Sequence, residues 1–205
     1  MRTLRELLDD PFFDLLDSAA EEARQSVCLL GSLAGSDVQD LKVFTASRRK
    51  SERIAADIDA RLANTIMASL RKEDIQDLSR ALRAIPESVE RLAERFCWGK
   101  DQVGSGEFTR LVQSIGRAVD ALVCMVAEIR GDENLGRIQQ LHAQVEGVAD
   151  EIEQSTEAIL QGIYSHEKDP VRVVAAKDVL EHVQEVAQRC SECAELLDEI
   201  VLKYL

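Results

Sequence analysis

Glu146 and Asp150 are the residues of this sequence whose type and spacing best suit chemistry. Residues four apart in an α-helix project from the same face, one turn from each other. With His142 one turn earlier, they resemble the carboxylate and imidazole sets that di-iron and di-manganese bundles place on facing helices. One helix provides too few ligands, so a metal site also needs side chains from another helix. The candidates for those further ligands are Asp57, Glu87 and Glu192.

The same residues have an alternative explanation that needs no ligand. Acid pairs at four-residue spacing are common on the solvent-exposed face of any charged helix. His142 can in the same way be a packed histidine at the edge of a core. Sequence spacing alone leaves both interpretations open.

A second motif, Cys190-Ser-Glu-Cys193, is a lone C-x-x-C. Zinc would need a second pair of ligands close by, and a redox site would need a helix N-terminus after a strand. Both cysteines instead fall on an apolar helical stripe, so we expect them to be buried core residues. The chain has no glycine-rich phosphate loop, no G-x-S-x-G turn and only three histidines. These features favour binding or regulation over catalysis, so we do not expect an enzyme.

The acid pair lies in residues 138–163, whose apolar positions are spaced four, three, four, three. This is the heptad stripe of a helix packed lengthwise against its neighbours. The pattern of the whole chain predicts helices over residues 13–35, 36–70, 73–99, 108–129, 132–166 and 169 almost to the C-terminus. Residues 1–10 predict a short amphipathic turn or helix that stops at Pro11. No stretch alternates with a period of two, so we expect no sheet.

Local signals set several of these helix ends. Ser36 and Gln39 form a capping box, and Asp169 followed by Pro170 is a strong helix start. Pro86 lies inside the third helix, where it removes a backbone donor and predicts a kink.

Similar residues recur at fixed offsets in the two halves of the chain, which lie on either side of the loop-like segment 99–106. An offset of 93 places Asp57 on Asp150, and an offset of 105 places Glu87 on Glu192. We therefore predict a single all-α domain over residues 1–205, a six-helix bundle built from two three-helix repeats at about 11–99 and 105–205.

The amino-acid composition limits the classes of molecule that this protein is expected to bind. The net charge is −13, and no Lys/Arg cluster is denser than Arg48-Arg49-Lys50, which argues against nucleic-acid binding. An acidic chain is a better partner for metal ions or basic protein surfaces. No apolar run approaches the ~18–20 residues needed to span a bilayer, and residues 1–10 lack an apolar signal core. With five scattered cysteines, which fit reduced thiols, the protein is expected to be cytoplasmic.

Several stretches together resemble the PhoU-like family, in particular its single-chain branch of phosphate-transport regulators associated with low-affinity inorganic phosphate permeases. The motif on the fifth helix is VEGVADEI at 145–152. The others are KEDIQDL at 72–78 with ESVERL at 87–92, and KDVLEHV at 177–183 with RCSE at 189–192 and IVLK at 200–203. Each motif is weakly specific, and the resemblance depends on their order and spacing over nearly the whole chain.

The resemblance implies an all-helical bundle whose acidic motifs hold clustered divalent or transition metal ions, of the iron, zinc, nickel or magnesium class. It also implies a regulatory role in contact with the cytoplasmic face of a membrane phosphate permease, which would place the protein peripherally at the inner membrane. Glu146 and Asp150 match an intact motif, Asp57 matches the second acid of the first-half motif, and Glu87 and Glu192 match retained acids.

The sequence also departs from the family pattern. Arg53 and Arg83 occupy acidic positions of the first half, and Gln184 and Gln188 occupy two on the last helix. Positive charge opposes a cation cluster, and neutral amides are poorer ligands for hard metals. A partly degenerate site is therefore expected, with a single weakly held ion or an internal salt-bridge network as the alternatives.

The leading hypothesis is a phosphate-transport regulatory or accessory protein that acts by protein–protein contact. One alternative is a metal-dependent helical-bundle enzyme in which carboxylate-bridged ions activate water or oxygen. Another is a structural bundle that self-associates as a homo-oligomer without metal.

Overall fold

The structure, a computed structural model, describes residues 11–35, 40–65, 68, 70–99, 103–129 and 135–204. These residues form six α-helices and no strand, which confirms the predicted fold class. The helices are α1 (Pro11–Gly35), α2 (Lys42–Asn64), α3 (Lys72–Gly99), α4 (Ser105–Glu128), α5 (Leu135–His166) and α6 (Pro170–Tyr204). None of these helices is long and apolar enough to cross a membrane.

The second helix is shorter than the sequence pattern predicted. Its N-cap is Leu41, and the predicted capping residues Ser36 and Gln39 lie outside the described residues. At the other end Thr65 is extended and its hydroxyl donates to the carbonyl of Arg61 over 2.8 Å. A threonine hydroxyl that bonds to the preceding turn competes with the helix ladder, and the helix ends there. Leu70, the predicted end of this helix, is buried but lies beyond it.

Pro11 and Pro170 are the first residues of α1 and α6. Pro11 is the first residue of α1, where its missing N–H costs nothing; the turn or helix predicted for residues 1–10 lies outside the described residues. Asp169 caps α6 as predicted, because its Oδ1 accepts from the backbone N–H of Val171 over 2.9 Å. Pro86 lies within α3 and is buried; the kink there stays a prediction.

The helices pack in two triplets. In the first, α1, α2 and α3 all contact one another, and in the second α4, α5 and α6 do the same. The triplets meet through α1 against α4 and α3 against α6, so these four helices form a central ring. Helices α2 and α5 lie outside this ring, each against two helices of its own triplet. The repeat in sequence stays a prediction.

The core lies inside the ring and beneath the two outer helices. Aliphatic side chains from every helix are buried in it, and Phe96 of α3 stacks on Phe108 of α4 with ring centroids 3.7 Å apart. Because α5 is an outer helix, only one face of it is buried. Of its predicted stripe, Ile138, Val145, Ile152 and Thr156 are buried, and His142, Ala149, Ile159 and Ile163 are half-buried. With this face buried, Glu146 and Asp150 lie on the side of α5 that is next to α6.

Candidate functional site

A groove of about 430 Å³ runs between α5 and α6. Its described lining includes seven carboxylates and no lysine, arginine or histidine. The carboxylates are Glu146, Asp150 and Glu153 of α5 and Glu181, Glu185, Glu192 and Glu195 of α6. The groove is therefore a strongly acidic surface.

Apolar packing beneath the groove holds its two walls together. Val145 and Ile152 of α5 are buried, as are Val186 and Cys190 of α6. The carboxylates of the groove are one or two residues away from buried positions, as Glu146 is from Val145 and Asp150 from Ile152, so they lie on the flanks of the buried stripe and reach solvent. The two helices run antiparallel, and Gln184 donates from Nε2 to the buried Thr156 Oγ1 over 2.7 Å.

His142 lies beside Glu146 of the groove, at the edge of the core. Its Nδ1 is 3.8 Å from Oδ2 of Asp198, and its Nε2 is 3.9 Å from Oε1 of Glu146. Asp198 also has a buried Oδ1 that accepts no hydrogen bond from any described residue. His142 is thus half-buried between two carboxylates. It is packed at the edge of the core, as one interpretation of the sequence had it, and it lies near Glu146, as the metal-ligand interpretation had it.

Three of the seven carboxylates form ion pairs with cations from outside the groove, and a fourth, Glu146, lies beside His142. The ion pairs are Glu185 with Arg91 (2.6 Å) and Arg189 (3.8 Å), Glu192 with Arg189 (2.8 Å) and Glu181 with Lys177 (3.0 Å), and Nε2 of His142 is 3.9 Å from Oε1 of Glu146. The other three, Asp150, Glu153 and Glu195, have no ion pair among the described residues. The uncompensated negative charge therefore lies on both walls.

Ser191 of α6 also lines this groove. The residue is 8% exposed, and its Oγ is buried without a hydrogen-bond partner in the described part of the chain. A buried hydroxyl with no partner is uncommon in folded proteins, because the desolvated group has lost water without gaining a replacement.

Three of the five predicted metal ligands come together in this groove, namely Glu146, Asp150 and Glu192. Asp57 is exposed on α2, and Glu87 lies on α3 with its Oε1 3.6 Å from Nε of Arg83. Across the described residues, no three His, Cys, Asp or Glu side chains are close enough together to hold one metal ion. The side chains as placed do not form a coordination sphere, and the metal site stays a prediction.

The face between α2 and α3 carries arginine cations instead. Arg48 of α2 donates from Nε to Glu90 of α3 over 2.5 Å and from Nη1 to Glu52. The hydrogen bond with Glu90 raises the pKa of Arg48. Arg83 pairs with Glu87, while Arg53 donates to the backbone carbonyl of Arg49. Arg53 has no ion pair among the described residues, so the conversion of the site into an internal salt-bridge network stays a prediction.

Sequence reasoning missed Arg48, Glu90 and several acids of the groove. Glu185 and Glu195 lie seven residues before and three residues after the predicted Glu192 on α6, and this heptad-compatible spacing is the signal that could have found them. The two cysteines of the C-x-x-C motif were predicted correctly, because both are fully buried. Burial raises the pKa of Cys190 to about 12, which disfavours the thiolate that metal binding and redox chemistry require.

No protein-family model and no curated protein sequence matches the chain. Two solved structures, both from Shewanella oneidensis MR-1, match over 94% of this chain and 99% of theirs. One is a PhoU-like protein, with a TM-score of 0.79 and 12% sequence identity. The other is a proposed PhoU-like phosphate regulatory protein, with a TM-score of 0.80 and 13% identity. The fold is PhoU-like.

These matches confirm the all-helical fold that the resemblance to the PhoU-like family implied. At 12% and 13% identity, the likeness establishes the arrangement of the helices and not an activity. What the PhoU-like fold of this chain does must therefore be argued from its own groove and charges.

Proposed function

We propose that this protein is a regulatory or accessory protein of phosphate transport, and that it acts by contact with other proteins rather than by catalysis. The fold supports this proposal, because one of the two matching structures is a proposed phosphate regulatory protein. The observation that carries it is the open acidic groove between α5 and α6, which offers a charged surface in place of an enclosed reaction pocket.

The partner proposed is the cytoplasmic face of a membrane phosphate permease. Cytoplasmic loops of membrane proteins carry an excess of lysine and arginine. A chain with a net charge of −13 is attracted to such loops, and charge complementarity both speeds encounter and selects the partner. The protein would then be cytoplasmic and peripheral at the inner membrane.

Phosphate uptake tests this proposal. A bacterial strain that lacks its own copy of the gene is compared with the parent strain and with the same strain carrying the gene on a plasmid. We expect the deletion to change the initial rate of radiolabelled phosphate uptake and the plasmid to restore it. Sulfate uptake is the control, because a general loss of membrane energy would change both. Equal phosphate uptake in all three strains, at high and low phosphate, would overturn the proposal.

A further inference from the structure

We infer that the α5–α6 groove binds a basic peptide segment of a protein partner, whose lysine or arginine side chains pair with Asp150, Glu153 and Glu195. This inference rests on the proposed function and deepens it, because it assigns the surface through which the contact is made. Three lines of observation support it.

The first observation is the imbalance of charge in the groove. All the charged side chains that line it are carboxylates, and three of them have no ion pair among the described residues. Carboxylates that share a groove repel one another, and the low-dielectric wall beneath them weakens screening by water. A bound cation removes this repulsion, so the groove is complementary to positive charge.

The second observation is Ser191, which is independent of charge. Its hydroxyl is buried in the wall of the groove and has no hydrogen-bond partner among the residues that the structure describes. A hydroxyl oxygen accepts hydrogen bonds from guanidinium and ammonium groups, which are donors only. A basic side chain in the groove would therefore supply both the missing positive charge and the missing donor.

The third observation is that the other half of the molecule holds this kind of cation within its own chain. Arg48 reaches from α2 to Glu90 of α3 and also pairs with Glu52. Under the predicted sequence repeat, Glu90 corresponds to Glu195 of the groove at the offset of 105, and Arg48 corresponds to Leu141 at the offset of 93. In this predicted alignment, the second half keeps the acid on α6 and has a leucine where the first half has Arg48.

The spread of the carboxylates favours a peptide over a metal ion. A hard metal ion needs several oxygen ligands that converge to within about 2.0–2.6 Å of one point. No three acidic, histidine or cysteine side chains converge in this way among the described residues. Lysine and arginine side chains each pair with one or two carboxylates, so several of them along an extended segment match acids distributed over two helices.

A direct binding measurement tests the inference. The probe is a fluorescein-labelled peptide of alternating arginine and alanine, titrated with the full-length protein and followed by fluorescence anisotropy at 0.15 M salt. We expect saturable binding by the wild type, and an affinity lowered at least roughly tenfold in the triple variant D150N/E153Q/E195Q. Ser191→Ala changes no charge and is expected to weaken binding roughly threefold to tenfold.

A matched control separates the groove from net charge. The triple variant D59N/E73Q/E94Q removes the same three charges from exposed positions outside the groove, and it is expected to bind within about twofold of wild type, since long-range charge contributes little at this salt. Thermal unfolding followed by circular dichroism checks that both triple variants fold. Equal loss in both, no binding by wild type, or binding that requires an added divalent cation would each overturn the inference.

The uptake strains distinguish this inference from the proposed function. If deletion of the gene leaves phosphate uptake unchanged, the proposed function fails whatever the peptide does. If the wild-type plasmid restores uptake and the D150N/E153Q/E195Q plasmid restores it equally well, the function stands and the groove is not its contact surface. Loss of restoration only with the groove variant supports both.

Discussion

Arg48 of α2 and Glu90 of α3 are joined by a hydrogen bond of 2.5 Å between Nε and Oε2. Their side chains are 27% and 16% exposed, so the pair is largely removed from water. The contact links an outer helix to the central ring, and Glu52 provides a second carboxylate for the same guanidinium. The α2–α3 face therefore contains a built-in cation between two acids.

Replacing Arg48 with methionine should lower the free energy of unfolding by about 1–3 kcal/mol, because Glu90 is left poorly solvated without its cation. Urea denaturation followed by circular dichroism measures the change. Arg80→Met is the control, because Arg80 and Asp77 form an exposed pair on α3 and the loss should stay below about 0.5 kcal/mol. Similar losses in the two variants would contradict a special role for the Arg48–Glu90 link.

Asp74 joins the start of α3 to the end of α6. Its side chain is 4% exposed and accepts hydrogen bonds from Arg71 (2.9 and 3.1 Å), Lys203 (3.3 Å) and the Tyr204 hydroxyl (2.9 Å). Burial alone would raise the pKa of Asp74, but the hydrogen bonds from these three residues outweigh it, and the pKa lies below its ordinary value. The carboxylate therefore stabilises the fold in its charged form.

Replacing Asp74 with asparagine should lower the free energy of unfolding at pH 7 by about 1–3 kcal/mol, since Arg71 and Lys203 lose their shared anion. Because the folded-state pKa is lowered, the contribution of Asp74 is present above the unfolded pKa of about 3.9 and is lost as pH falls through the folded pKa. The difference between variant and wild type should therefore shrink below about pH 4. Urea denaturation from pH 7 to pH 3 measures it, with Asp77→Asn as an exposed control. A difference independent of pH would contradict this account.

Gly99 marks a close approach of α3 to α6. A Cβ at this position would lie 2.8 Å from Cγ2 of Val179 and 3.1 Å from the carbonyl oxygen of Ala175. Gly99→Ala should therefore lower the free energy of unfolding by about 1–3 kcal/mol through overpacking. Gly162→Ala in α5 meets nothing within 4 Å and should raise it by about 0.5–1 kcal/mol, as alanine favours the helix. Thermal unfolding compares the two, and shifts in the same direction would count against the close contact.

The cysteines should differ in reactivity according to their burial. Cys28 and Cys124 are exposed, whereas Cys190 and Cys193 are buried and burial raises the pKa of both thiols. With a disulfide reagent at pH 8, we expect rapid labelling of the two exposed thiols and no labelling of the buried pair until the protein is unfolded in guanidinium. Mass spectrometry of the labelled peptides identifies the sites. Fast labelling of Cys190 in the folded protein would show that α6 opens.

Removal of metal ions should leave the fold intact. The α2–α3 face is held by Arg48, and the five predicted metal ligands are divided between two helix pairs. We therefore expect the same thermal unfolding curve before and after exhaustive chelation, and less than about one equivalent of transition metal by elemental analysis. A stoichiometric metal together with unfolding on chelation would favour the metal-dependent enzyme alternative instead.

The sequence by itself determined the helices and much of the core. Hydrophobic periodicity and local caps depend only on residues a few positions apart, so the start of α6 at Asp169 and the buried positions of α5 could be predicted. The end of α2 could not, because the apolar pattern continues to Leu70 while the Thr65 hydroxyl bonds back to the preceding turn. The placement of Cys190 and Cys193 in the core followed from the same periodicity.

Only the tertiary structure decided which acids share a surface. Arg48 and Glu90 are 42 residues apart in sequence, and no local pattern pairs them. Glu146, Asp150 and Glu192 meet in one groove while Asp57 and Glu87 lie elsewhere, although the sequence motifs treat all five alike. The physical reason is that a helix fixes which side chains share its own face, whereas the rotation and neighbours of each helix are set by how all six pack together.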